Sequence, residues 1–167
     1  MGMGGIWALL AATGFGGAPI ADVIKARKLV IVDEKGTERV VIADHVPDPK
    51  EGKRSNTGSG MVINNKDGFE QFGVYVDDKD GGVGMGFDAK PGVGDPRNRE
   101  RINLKVSPAG TALIRVLDNS TRVKAWLMTN EKEEAYLGFL RWEGAGRETK
   151  YVGEKRYGLG EAKADSR

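Results

Sequence analysis

The chain has no cysteine. That excludes a disulfide framework, a thiolate metal site and a cysteine nucleophile. Histidine is nearly as scarce, with His45 the only one. A Ser-His-Asp apparatus or a histidine metal set would have to be built on that one residue, and no second imidazole exists to complete a zinc site. No cofactor is expected. Neither sign of charge dominates: 26 Lys and Arg face 24 Asp and Glu, a net charge of +2. The charges are also interspersed, which argues for a soluble surface and against a dedicated nucleic-acid footprint. Long uncharged runs are missing after residue 22. The one such stretch is 3–21, MGGIWALLAATGFGGAPIA, about the length of a membrane span but diluted by glycine and a proline.

What the chain does have is a repeated hairpin. In KLVIVDEKGTERVVIAD (28–44), the apolar residues Leu29 to Val32 are mostly β-branched and suit a pleated strand. Asp33-Glu34-Lys35-Gly36 then supplies a reversal: the aspartate bonds nearby backbone groups and the glycine tolerates positive φ. The chain returns as Glu38 to Ala43. Further units reverse at Lys66-Asp67-Gly68, Asp77 to Gly81, Ser107 to Gly110, Asp118 to Ser120 and Asn130 to Glu133. About nine strands follow, at a spacing that marks an all-β domain.

Alternation is clearest late in the chain. Ile102, Leu104 and Val106 share one face, opposite Asn103 and Lys105. Val123, Ala125 and Leu127 oppose Lys124, although Trp126 and Met128 make that second face partly apolar. Such a pattern implies one packed face and one wetter face. The first hairpin is apolar on both faces, so it is expected to be central or covered, the N-terminal segment being one candidate cover. Gly82, Gly84 and Gly86 fall on every second position, and a bulky neighbour is expected to pack where their side chains are missing.

Three domains of sequence emerge: an apolar segment at 1–24, a hairpin meander at 25–142, and a Gly-rich charged tail at 143–167 in which Thr149 to Val152 forms at most a short edge strand. Residues 1–24 read as an export or anchor element or as a packed element. Two long polar loops, 45–58 and 88–100, are the candidate binding rim if they emerge at one end of the domain. Their candidate ligand-binding residues are His45, Lys53, Arg54, Arg97 and Arg99, the cations suiting an anionic partner and the acids among them diluting that field.

LVIVDEKGTERVVIA, the loop HVPDP and GMVINNKDGFEQFGVYVDDKDGGVGMGFD together resemble a group of uncharacterised bacterial proteins built from repeated "apolar strand, Asp-x-x-Gly, charged strand" hairpins behind an N-terminal hydrophobic segment. The resemblance covers about residues 25–142. It implies an exported or membrane-anchored β-domain and carries no activity with it.

Other motifs weigh little. Asp77, Asp78, Asp80 and Gly81 fail the calcium-loop test, because Val76 and Phe87 stand at its first and twelfth positions. Gly82-Val83-Gly84-Met85-Gly86 lacks both the dinucleotide spacing and a following helix. Trp142, at a strand end, is expected to be the most exposed large aromatic. The expectation is an antiparallel meander closing as a barrel or a two-layer roll, with no enzymatic role. Its partners would be another protein or a second copy of itself, with a membrane contact through residues 3–21. A ligand-binding barrel with loops 45–58 and 88–100 at its mouth is the alternative.

Overall fold

The computed structural model describes residues 23–54, 57–95, 98–132, 134–144 and 150–158. The apolar segment 1–22, on which the anchor and packed-element readings rest, lies outside the described residues, as does Arg97. Ten strands form one antiparallel sheet in sequential order. They are β1 (Lys28–Val32), β2 (Glu38–Ala43), β3 (Gly58–Asn64), β4 (Glu70–Asp77), β5 (Val83–Asp88), β6 (Glu100–Val106), β7 (Ala112–Leu117), β8 (Val123–Thr129), β9 (Ala135–Glu143) and β10 (Lys150–Gly158). Among the described residues there is no helix, and so none long and apolar enough to cross a membrane.

The hairpin corners form as their residues require. Asp33 Oδ1 accepts from the N–H groups of Lys35 and Thr37, both at 3.0 Å. Gly36 N–H donates to Asp33 O at 2.9 Å, with Gly36 at φ 80°. Asn65, Asp118 and Asn130 repeat the same two-bond side-chain device. A type I turn followed by a residue at positive φ is a standard hairpin closure, and here it sets the register of each pair.

Three expectations need correction. The sheet does not close: β1 pairs with β2, β10 pairs with β9, and no ladder joins β1 to β10. The barrel and the two-layer roll both give way to a single open layer. The tail is also more ordered than its charge suggests. Lys150–Gly158 is a full strand, pairing with β9 through a bulge at Tyr151/Gly153. Trp142 is half-buried, not exposed; its indole N–H donates to Val123 O at 2.7 Å and its ring lies 5.7 Å from that of Tyr151.

The register aligns side chains in rows across the sheet. One row reads Leu29, Ile42, Met61, Val74, Met85, Leu104, Ile114, Leu127, Leu137, Tyr157. The next runs from Ile31 through Val40, Ile63, Phe72, Phe87, Ile102, Val116, Ala125 and Phe139 to Lys155. This is the apolar face, and nothing in the described structure lies on it. Ile31 is 53% exposed, Leu127 48% and Phe139 48%.

On the opposite face the matching row is Val30, Val41, Val62, Gly73, Gly86, Asn103, Arg115, Trp126, Gly138, Arg156. The buried residues are here: Val41, Ala43 and Val62 form a small cluster beneath Val46, and Asn103 is buried beyond it. The packed and wetter faces are therefore the reverse of what alternation implied, because the two long loops fold back over the more polar side.

Candidate functional site

In a strict meander successive connections alternate ends. The β2–β3 loop (44–57) and the β5–β6 loop (89–99) consequently leave the sheet at opposite ends, not at one rim. They nevertheless meet. The first loop runs back across the polar face, anchored by Val46 N–H to Gly58 O at 3.0 Å at one end and by Lys50 Nζ to Asp67 O at 3.0 Å at the other. There it meets Arg99, which closes the second loop by an antiparallel bond from Ala89 N–H to Arg99 O.

Arg99 ties the two loops to the sheet. It is 8% exposed, its Nε is 3.2 Å from Glu51 Oε2 of the first loop, and its terminal nitrogens donate to Ala89 O at 2.8 Å and Glu70 O at 3.1 Å. Arg54 does the same from the other side. Its N–H donates to Asp48 Oδ1, its Nε to Pro47 O, and its guanidinium makes a two-nitrogen pair with the Glu70 carboxylate. A planar fork on a carboxylate is the strongest geometry such a pair adopts.

Between these loops and the strands lies an open cleft of about 390 Å³. Its floor is possible because of missing side chains. Gly73 and Gly86 lie side by side in register, and a Cβ on Gly86 would approach the Glu100 carboxylate at 3.1 Å. Gly84 has the packing expected from its sequence, since a Cβ there would meet the Tyr75 ring at 2.7 Å. Asn103 Nδ2 donates to Glu100 Oε1 at 3.0 Å, and its Oδ1 accepts from Arg115 Nε at 3.1 Å.

Two carboxyls at the cleft are shifted. Burial pushes Asp88 up to about 6; Arg99, 3.7 Å away, opposes the shift, and the charges of Glu70 and Glu100 add to it. Burial likewise raises Glu100, against the opposing pull of Arg115 and the Asn103 hydrogen bond. Lys53 and Lys105 complete the lining, with cations and carboxylates equal in number at four each: Lys53, Arg54, Arg99 and Lys105 against Glu51, Glu70, Asp88 and Glu100. Such a wall suits hydrogen bonding to a polar neutral group better than capture of an anion.

Of the candidate residues, Lys53, Arg54 and Arg99 come together at this cleft. His45 does not. It sits at the other end of the strands, its side chain 74% exposed, with Nδ1 3.3 Å from Asp78 Oδ2 in the β4–β5 turn. The sequence neighbours Asp44, His45 and Asp48 do not form one centre, because Asp48 is turned to the Arg54 N–H. Glu70, Asp88, Glu100, Asn103 and Arg115 were not singled out from the sequence. The available signal was that Asn103 and Lys105 share the wetter face, yet Glu70 and Asp88 sit at strand ends where alternation says nothing. Among the described residues, no group of three or more His, Asp or Glu is arranged to hold a metal. No protein-family model, curated protein or solved structure matches the chain.

Proposed function

We propose that the protein is a non-enzymatic structural or interaction module that works through its apolar sheet face, exported or held at the cell envelope. The observation that carries the reading is the pair of apolar rows running from β1 to β9 with no charged side chain in either. Soluble proteins rarely leave a contiguous apolar patch beyond a few hundred Å² open unless something binds there. The uncharged stretch 3–21 and the likeness to bacterial anchored hairpin proteins support the envelope setting. The polar cleft is read as the joint that pins the two loops, since its arginines are already paired within the chain.

The experiment is fluorescence of a hydrophobic dye with the dilute full chain. The dye should brighten with the parent chain and dim with Ile114→Glu on the apolar face, while Lys105→Glu on the other face leaves it unchanged. Equal dye response in all three would sink the reading. So would turnover of any substrate that is lost in His45→Ala.

A further inference from the structure

We infer that the apolar face is covered by a second copy of this chain, two sheets stacking face to face as a β-sandwich split between protomers. The inference rests on the interaction reading above and names its partner. Three observations select this occupant.

The first is area. Lys155 and the Arg141–Glu143 ion pair bring charge onto the apolar face at the β9–β10 end, and burying those charges between two copies would cost desolvation. The dry contact is therefore β1 to β8. Eight strands at about 4.8 Å, each about six residues at about 3.3 Å, span roughly 38 Å by 20 Å, or about 760 Å². A standard stable interface takes about 800 Å² from each partner. The face has the size that a dimer needs.

The second is that smaller candidates do not fit. The uncharged stretch 3–21 is 19 residues. Wound as a helix, 19 residues cover about 28 Å by 10 Å, well under half of the face. A bilayer is a poor match too. Membrane-spanning strands need about 9–11 residues, whereas β1 to β8 have between 5 and 8.

The third is shape. Sheet-on-sheet packing interdigitates the branched and aromatic side chains of two inner faces about 10 Å apart. Leu, Ile, Val, Met and Phe fill both rows from β1 to β6. The same surface then serves both partners, as a two-fold interface requires.

The test is sedimentation of the full chain over a concentration series, with two sets of variants. The parent should sediment at twice 18.0 kDa. Ile114→Glu should sediment as a monomer with its β-sheet circular dichroism kept, and Lys105→Glu should remain a dimer. Because the chain has no cysteine, single introduced thiols report the interface even if a charged variant fails to fold. Met85→Cys, near the sheet centre, should form an inter-chain disulfide under mild oxidation, and Lys105→Cys should not. A parent that is monomeric throughout but binds the hydrophobic dye overturns the second copy and leaves the interaction reading standing. A monomer that binds no dye overturns both. A dimer that survives Ile114→Glu and cross-links through Lys105→Cys overturns the face-to-face arrangement.

Discussion

Asn65 closes its hairpin with one side-chain oxygen, which accepts from Asp67 N–H at 2.9 Å and Phe69 N–H at 3.1 Å. Asn65→Ala removes both bonds and should cost about 1–2 kcal/mol, read as a lower urea midpoint. Glycines in the strands divide by what lies opposite them. A Cβ on Gly60 would run into the Val74 carbonyl and come within 2.9 Å of Tyr75 Cα, so β4 itself must move. A Cβ on Gly84 meets only the far end of the Tyr75 ring, which can swing. Gly60→Ala should therefore destabilise by about 1–3 kcal/mol and Gly84→Ala by clearly less, in the same denaturation series. Asp88 gives a pH signature. Its folded pKa of about 6 lies above the ordinary 3.8, so the folded chain holds the proton more tightly than the unfolded chain. Its contribution is complete below about pH 4 and is lost as pH rises through about 6. Asp88→Asn should flatten the stability profile in that window. The corner residues were legible because each bonds backbone within four residues of itself. Glu70 and Asp88 were not, because their partners Arg54 and Arg99 are 16 and 11 positions away.

At the scale of elements, the two loops were visible as polar, proline-bearing stretches, but their path was not. Their meeting depends on Arg99, in the loop before β6, pairing with Glu51, in the loop after β2, and no local pattern encodes that contact. Arg99→Ala should loosen both loops together, costing about 2 kcal/mol through lost charge-assisted hydrogen bonds. Hydrogen exchange should then speed up at Val46 and Ala89 while β7 and β8 are unchanged. His45→Ala should alter neither loop nor stability measurably, since that side chain lies open at the far end. Strand β10 was missed beyond Val152 because glycine and alternating charge lower its apparent propensity. Pairing with β9 overrides that, aided by the Phe139–Tyr157 ring contact at 6.4 Å.

At the scale of the molecule, described residues hold four buried apolar side chains, Val41, Ala43, Val62 and Leu117. On the proposal above, so small a core leaves a share of the stability to the second copy that covers the other face. For the stacked dimer, the thermal midpoint should rise with protein concentration, and Ile114→Glu should abolish that rise. The residue order by itself determined the antiparallel zigzag, its corners and the separation of side chains into two faces. These follow from a period of two and from turns whose bonds are local. Whether the sheet closes, which face the loops cover, and which face stays open were decided only in three dimensions. Period two assigns a side chain to a face, but covering a face takes contacts between residues far apart in the chain, and those exist only once the sheet has formed.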